Sequence, residues 1–424
     1  MADTTLYLGI SLTPKNCEAV IIDNDQNEQA TASLTLPHSS HTEKEDTPAA
    51  WIKAVEAICQ VILPQIDSGK IGRLSIVSPA DVLLLSDAFG NPVSSVLGRD
   101  YRCSYPLYAR ISPAIPAQSG AGGDSSSLFK LIELLEASDG QSVRPMHQSE
   151  WLAAKLSGQN GICDEHQATR LGYDPVKQRW PRWLDKLTQG QAVLPQVVMP
   201  GTPMGTLTSS FAQKLALPAH VQVVAGTTSE TAEFLSTDLK NTPSAVTRFT
   251  PALMLQSMAS MPVFSSKYGI YSQRLGSHWL VHATSHTGMT AVYHCLPEAD
   301  VSARLDQVKD TPLLNLDLYP LVETGEQFPV RNPRMRAVVE PRPDDDTVFL
   351  QALLEALADA EHDGYWLLQR LGSRPPEQVY TFESGPNQGA WLKIREQKMK
   401  AKLCTLETKP NAALGAALVA SGHI

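Results

Sequence analysis

The stretch LYLGISL at residues 6–12, followed by EAVIID at residues 18–23, decides how the rest of the sequence is interpreted. Both runs are mainly apolar, and the short segment 13–16 between them is typical of a tight turn, so they predict two adjacent strands. A third strand is predicted at 30–36, and apolar residues recurring on one face predict a helix at 47–63. The chain therefore opens with a three-strand meander followed by a helix.

The second half of the chain repeats this order of elements. The predicted elements are strands at 245–249, 253–257, 269–274 and 278–283, helices at 287–296 and 347–371, a strand at 378–382, a helix at 389–399, a strand at 402–406 and a final helix from 411. Two such halves predict two similar α/β domains with a cleft between them, and one apolar face of the long helix is predicted to be core. We expect domains at 1–236 and 237–424, with the final helix 411–424 as a candidate to pack back on the first domain.

Composition and charge exclude several classes of protein. The 424 residues include 35 basic and 44 acidic side chains, a net charge of −9, which argues against a nucleic-acid binder or a basic membrane-surface protein. No apolar run is long enough to span a membrane, and residues 1–5 lack the basic segment of a secretory signal, so we expect a cytoplasmic protein. Six scattered cysteines without C-x-x-C spacing predict reduced thiols rather than disulfides or a zinc site.

Short segments in a distinctive order run along the whole chain. They are LGISL (8–12) with AVIID (19–23), LSG (156–158) followed by Asp164, Ala168 and LGYD (171–174), QVVAGTT (222–228), GIYS (269–272), HWLV (278–281), GEQFPV (325–330), EPRP (340–343), LE (354–355) with GY (364–365), and AALGAA (412–417). Together they resemble the FGGY family of carbohydrate kinases, and most of all its short plant and cyanobacterial branch, which looks like D-ribulose or xylulose kinases. The resemblance implies two actin-like (ribonuclease H-like) ATPase domains with ATP, Mg²⁺ and a small sugar in an interdomain cleft.

The resemblance also implies where the reacting groups stand, and there this sequence departs from the family pattern. Ser11 occupies the position of the family's metal-organising aspartate, and Ser229 the position of its catalytic aspartate. A serine hydroxyl does not accept a proton at neutral pH as a carboxylate does. Glu230, the next residue, is an alternative base, and the competing interpretation is an ordinary acid in the first turn of a helix. Asp81 is a second carboxylate on which a rebuilt site could depend.

The loops that would hold the nucleotide are altered as well. By resemblance, the nucleotide-binding positions are Thr13, Pro14, Lys15, Thr250, Pro251, Ala252, Glu383, Ser384, Gly385 and Pro386. Prolines at 14, 79, 251 and 386 each remove a backbone N–H donor, and Thr13 lacks the freedom of the glycine that the family has there. Glu383 brings negative charge to a nucleotide position. These changes predict that the phosphates lose their cradle and that ATP and Mg²⁺ binding is doubtful.

Two further groups of residues leave alternatives open. Asp100 and Arg102, with Asp81, match sugar-contacting positions of the family, and a structural salt bridge is the alternative for the first two. His282, His286 and His294 allow a metal site, but their spacing favours ordinary packing, and no metal is predicted.

Two functional hypotheses follow. The first is a pseudokinase, a carbohydrate-kinase body in which phosphoryl transfer is weak or lost and which has a sugar-binding or regulatory role. The alternative is an active sugar kinase that uses Glu230 or Asp81 in a rebuilt site. The expected partner is a small sugar, and the expected state is a monomer or homodimer, without nucleic acid or membrane.

Overall fold

The computed structural model describes residues 5–36, 47–138, 140, 142–237, 239, 244–381, 388–406 and 409–423. By their contacts these residues form two compact units, Met1–Asp238 with Pro410–Ile424, and Leu239–Lys409.

The described residues contain strands and helices in alternation. The strands are β1 (Leu6–Leu12), β2 (Asn16–Ile22), β3 (Glu28–Thr35), β4 (Ile71–Val77), β5 (Leu83–Ser86), β6 (Arg144–His147), β7 (Ile162–Asp164), β8 (Gln196–Val198), β9 (Pro203–Thr206), β10 (Gln222–Val224), β11 (Ser244–Arg248), β12 (Met254–Ala259), β13 (Tyr271–Leu275), β14 (His278–Thr284), β15 (Gln378–Thr381) and β16 (Lys402–Thr405). The helices are α1 (Pro48–Ile62), α2 (Tyr105–Ile111), α3 (Ser127–Glu136), α4 (Gln148–Ser157), α5 (Glu165–Leu171), α6 (Arg182–Thr188), α7 (Ser209–Leu215), α8 (Ser229–Leu235), α9 (Met289–Cys295), α10 (Glu298–Arg304), α11 (Asp346–Arg370), α12 (Gln388–Met399) and α13 (Ala412–Ser421).

The first unit is built on a six-stranded mixed sheet in the order β3-β2-β1-β4-β10-β9. Strands β1 to β3 form an antiparallel meander, as the sequence predicts, and β4 and β10 run parallel to β1. Parallel strands need a crossover, and α1 supplies the one between the meander and β4. The start of α1 is fixed by Thr47, whose hydroxyl accepts a hydrogen bond from Ala50 N at 3.3 Å, and by Pro48 in the first turn.

The second unit repeats this sheet. Its order is β13-β14-β12-β11-β15-β16, with antiparallel pairing from β13 to β11 and parallel pairing from β11 to β16. If β14 is counted as the third strand of the meander, both units have the order third, second, first, fourth, fifth. The predicted α/β class with two similar halves is therefore confirmed.

Helix α13 packs against β1, β2, β4 and α8 of the first unit. Its small residues allow a very close approach: a Cβ atom added to Gly9 in β1 would lie 2.2 Å from Ala413 O, and one added to Gly415 would lie 1.9 Å from Ala232 O. On the other side of β1, the main core of the unit joins the sheet to α1 and α4.

The segment 82–97 folds back as a hairpin, since Leu83 and Leu97 exchange backbone hydrogen bonds and Val93 N donates to Leu85 O at 2.8 Å. Strand β5 also pairs with the distant β6, with Leu83 opposite His147. One prediction about local structure is wrong in part. Helix α11 is buried on more than the predicted face, since every residue from Phe349 to Ala358 is buried. Among the described helices, none combines the length and the apolar character needed to cross a membrane.

Candidate functional site

The candidate site of the first unit lies at the carboxyl ends of three parallel strands. Ser11 at the end of β1 is opposite Val77 at the end of β4, and Ser78 forms a bridge with Thr228 after β10. Ser229 N donates a hydrogen bond to Ser78 O at 2.8 Å. The topology therefore brings the loops after β1, β4 and β10 to one edge of the sheet, where ligands of open α/β sheets bind.

Ser229, at the family's catalytic aspartate position, is the first residue of α8. Thr228 caps this helix, since its hydroxyl accepts a hydrogen bond from Thr231 N at 3.3 Å. The Ser229 side chain is buried, and its Oγ atom has no hydrogen-bond partner among the residues that the structure describes. The hydroxyl can donate or accept a hydrogen bond, but it supplies no carboxylate to deprotonate a sugar.

Glu230 is fully engaged rather than poised as a base. Its Oε2 atom accepts a hydrogen bond from Ala80 N at 3.3 Å, and its Oε1 atom lies 2.6 Å from Arg99 Nη1. The Glu230 side chain is 3% exposed, whereas that of Arg99 is 35% exposed. The carboxylate is thus held by a backbone N–H on one oxygen and by an arginine on the other.

Asp81 is also engaged. It sits in a turn with φ of 66°, and its carboxylate lies 2.9 to 3.2 Å from Nε and Nη2 of Arg170. Ser127 donates to Asp81 Oδ1 through both its N–H and its hydroxyl, each at 2.7 Å. Burial opposes the charge of Asp81, but the Arg170 and Lys130 charges and these hydrogen bonds outweigh it and hold the pKa of the carboxyl below its ordinary value.

Lys130 ties the Asp81 turn to the neighbouring loop. Its Nζ atom donates to the carbonyl oxygens of Asp81 at 2.5 Å, Gly98 at 2.6 Å and Arg99 at 3.2 Å. Burial lowers the pKa of this amine to about 8, although Asp81 partly offsets the effect. The lysine thus fixes the backbone from which Arg99 reaches Glu230.

The other predicted sugar-contacting residues lie on the same loop but differ in exposure. Asp100 is exposed and Arg102 is half-buried. Asp100 is close enough to favour the charged form of Lys130. A sugar-contacting role for Asp100 and Arg102 stays a prediction, whereas the Asp81 carboxylate is already taken by Arg170 and Ser127.

The turn after β1 closes on itself. Thr13 N donates to Asn16 O at 2.9 Å, and Thr13 Oγ1 accepts from Asn16 N at 3.0 Å. Pro14 and Lys15 are exposed at its tip, and Ser11 is buried before it. The turn therefore offers fewer backbone donors to a phosphate than a glycine-rich loop would.

The loop after β11 in the second unit has its own internal partners. Thr250 and Ala252 are half-buried and Pro251 is exposed. Two N–H groups of the first turn of α9 are used locally, because Met289 N donates to Phe249 O at 2.7 Å and Thr290 N donates to Pro251 O at 3.1 Å. The remaining predicted nucleotide positions lie outside the described residues; they are Glu383, Ser384, Gly385 and Pro386.

Several neutral polar groups near the end of β4 are buried. Within the described part of the chain, Gln148 Oε1, Ser149 Oγ and both amide atoms of Gln167 have no hydrogen-bond partner. Ser149 belongs to the same edge as Ser229, since its N–H donates to Ser78 Oγ at 3.1 Å. Buried polar groups are normally paired, so a set of this kind marks a place where a partner is expected.

Two of the three histidines considered for a metal are used in packing and hydrogen bonding, and His294 is exposed. The His282 ring stacks on Tyr271 with centroids 4.8 Å apart, and His286 Nδ1 lies 2.9 Å from Gly325 O. None of the three, His294 included, belongs to a group of metal-ligating side chains among the described residues.

Sequence reasoning missed the three cationic side chains that bind the carboxylates or the backbone at this edge of the sheet. Arg99, Lys130 and Arg170 hold the two candidate carboxylates or their backbone, yet no motif singles them out. Arg170 lies in the 164–174 segment, next to Leu171, and belongs to the buried helix α5. An arginine is rarely buried unless it is paired, so its position in a buried helix indicates a charged partner.

Comparison with known proteins gives the fold of the whole chain. No family model matches the sequence. The structure is similar to that of gluconate kinase from Lactobacillus acidophilus, with a TM-score of 0.84, 14% identity and coverage of 99% of this chain and 89% of that one. Xylulose kinase from Rhodospirillum rubrum gives a TM-score of 0.81, 19% identity and coverage of 98% and 89%, and Plasmodium falciparum glycerol kinase with ADP gives 0.81, 14% and coverage of 99% and 90%. The chain has the fold of the FGGY carbohydrate kinases, with two actin-like ATPase domains.

Proposed function

We propose that the chain is a member of the FGGY carbohydrate kinase family that has lost most or all phosphoryl transfer and retains a sugar-binding role. The observation that carries this proposal is the state of the carboxylates at the family's catalytic position. Ser229 replaces the catalytic aspartate, and Glu230 and Asp81 are each paired with an arginine. Because both carboxylates are paired, neither is free to act as the general base for the attacking hydroxyl of a sugar.

The proposed ligand is a small polyol or ketopentose. The buried groups of Gln148, Ser149, Gln167 and Ser229 are all uncharged and include both donors and acceptors. Sugar hydroxyls also donate and accept, so they match such a set better than a charged ligand would. The structures with this fold include enzymes named as xylulose kinases, which favours a pentulose as the first compound to test.

Calorimetry with a panel of pentuloses, and with ATP plus Mg²⁺, tests this proposal. We expect heat with at least one sugar, little or none with the nucleotide, and no ADP when both are present. Ser229→Ala should weaken sugar binding, whereas Ser209→Ala, a change at the exposed first residue of α7, should not. Sugar-dependent ADP formation by the wild-type protein would instead support the active kinase with a rebuilt site.

A further inference from the structure

A second cluster of reactive side chains lies behind the Asp81 turn. Among the described residues, His147, Glu150 and Cys163 form the group whose metal-ligating atoms all lie within 4.8 Å of one another, and all three are buried. His147 caps α4, Glu150 is in the first turn of that helix, and Cys163 is in β7. The group therefore combines a nitrogen, an oxygen and a sulfur ligand from two separate segments.

The hydrogen bonds around Ser127 fix the state of the His147 ring. The Ser127 hydroxyl has a single hydrogen, and its Oγ atom lies 2.7 Å from Asp81 Oδ1 and 2.9 Å from His147 Nε2. Arg170 keeps Asp81 ionised, so this hydrogen belongs to the Ser127–Asp81 bond. Consequently His147 Nε2 must carry a hydrogen and donate it to Ser127 Oγ.

This assignment leaves two electron-rich atoms facing each other. In a neutral imidazole with its hydrogen on Nε2, the Nδ1 atom has a free lone pair, and it lies 2.6 Å from Glu150 Oε2. A lone pair and a carboxylate oxygen at that distance repel unless a positive centre lies between or beside them. A proton or a metal ion can supply that centre.

The neighbouring thiol supplies a third ligand atom, because Cys163 Sγ lies within 4.8 Å of the ligand atoms of His147 and Glu150. Zinc displaces a thiol proton and binds nitrogen, oxygen and sulfur ligands together. The Ser127–Asp81 link also resembles the carboxylate support that orients metal-ligating histidines through their second ring nitrogen.

We propose that His147 Nδ1, a carboxylate oxygen of Glu150 and Cys163 Sγ bind one structural zinc ion. The site requires a small rotation of the Glu150 carboxylate, because two ligands of a tetrahedral zinc stand about 3.3 Å apart. Binding releases the thiol proton and any proton shared by His147 and Glu150. Cysteine spacing gave no hint of this site, since only one of its ligands is a cysteine.

Metal content and cobalt spectroscopy test the proposal without an activity assay. The protein purified without chelators should contain about one zinc ion per chain. Protein unfolded, stripped of metal and refolded under argon with one equivalent of Co²⁺ should show a thiolate-to-cobalt charge-transfer band. Cys163→Ala should abolish the band, whereas Cys59→Ala, a change at an equally buried cysteine in α1, should leave it intact.

The wild-type protein alone can overturn the proposal, whether or not the variants fold. If the purified protein holds less than a tenth of an equivalent of zinc and the cobalt-refolded protein shows no thiolate band, a proton occupies the pair and no metal site exists. A band that survives Cys163→Ala would assign the metal to another thiol and would also reject this ligand set.

Discussion

Ser11 and Ser229 stand at the two positions where the resemblance implies aspartates, and they allow a test of what catalysis lacks. We expect the protein with both Ser11→Asp and Ser229→Asp to remain inactive as a sugar kinase. Pro14 and the internally bonded turn after β1 still offer too few backbone N–H donors to bind the phosphates. The measurement is sugar-dependent ADP release, with Ser11→Asn and Ser229→Asn as the uncharged control. Turnover in the aspartate variant alone would show that the carboxylates were the only missing parts.

The buried ion pair of Asp81 with Arg170 allows a prediction about stability. Asp81→Asn leaves the buried Arg170 guanidinium without its charged partner, and breaking a pair of this kind costs about 3–5 kcal/mol of unfolding free energy. Asp174→Asn is the matched control, because Asp174 pairs with the exposed Lys177 and should cost under about 1 kcal/mol. Urea unfolding at pH 7 compares the two variants. Equal effects would mean that the Asp81 pair contributes no more than a surface pair.

The residue scale is also where sequence reasoning reached its limit. Ser229 begins α8, after strand β10 and the Thr228 cap. The partners of the carboxylates do not follow from the sequence. Asp81 and Arg170 are 89 positions apart in the sequence. Only the folded structure shows that Arg170 pairs with the Asp81 carboxylate, which was considered as a base for a rebuilt site.

Helix α13 supplies a prediction at the scale of elements. Gly415→Ala places a Cβ atom 1.9 Å from Ala232 O in α8, so the two helices must separate and the protein loses stability. Gly389→Ala in α12 is the control, because a Cβ there meets no atom of the described residues within 4 Å outside its own helix backbone and chain neighbours. Alanine favours a helix over glycine by up to about 1 kcal/mol, so the control should be neutral or stabilising. Thermal unfolding should give opposite signs for the two changes.

Elements with local signals were predicted well, and those that depend on distant partners were not. The meander β1 to β3 and helix α1 follow from alternation, turns and a capped amphipathic face, all within 60 residues. Strand β6 has only four residues and owes its existence to pairing with β5, so no pattern in the sequence marks it. Helix α11 shows a related failure, because core on several sides removes the single apolar face that periodicity detects.

At the scale of the whole molecule, the buried thiols predict sensitivity to alkali. Burial raises the pKa of Cys17, Cys59 and Cys103 to about 12, from an ordinary value of 9.0. Above pH 9 the unfolded chain therefore loses thiol protons that the folded chain keeps, and stability falls as pH rises. Lys130 acts in the opposite direction between about pH 8 and 10.5, because its pKa is lowered on folding.

Tyr319 and Tyr365, whose pKa values are also raised by burial, add to these three thiols against the one lowered amine. The free energy of unfolding should then fall by at least about 2–3 kcal/mol per pH unit between pH 9.5 and 10.5. Urea titrations in the presence of reductant measure this slope, and Cys59→Ala should make it shallower by about one proton. A slope of zero in this range would mean that the thiols are accessible to solvent in the folded protein.

The packing of α13 on β1 has a consequence for synthesis. Residues 6–12 leave the ribosome some four hundred residues before the helix that covers Gly9, which is made of residues 412–421. The second unit, Leu239–Lys409, is complete in the nascent chain before the first one can be. One apolar face of the first sheet is therefore uncovered throughout elongation, and chaperone capture at that stage should depend on β1 and not on the second unit.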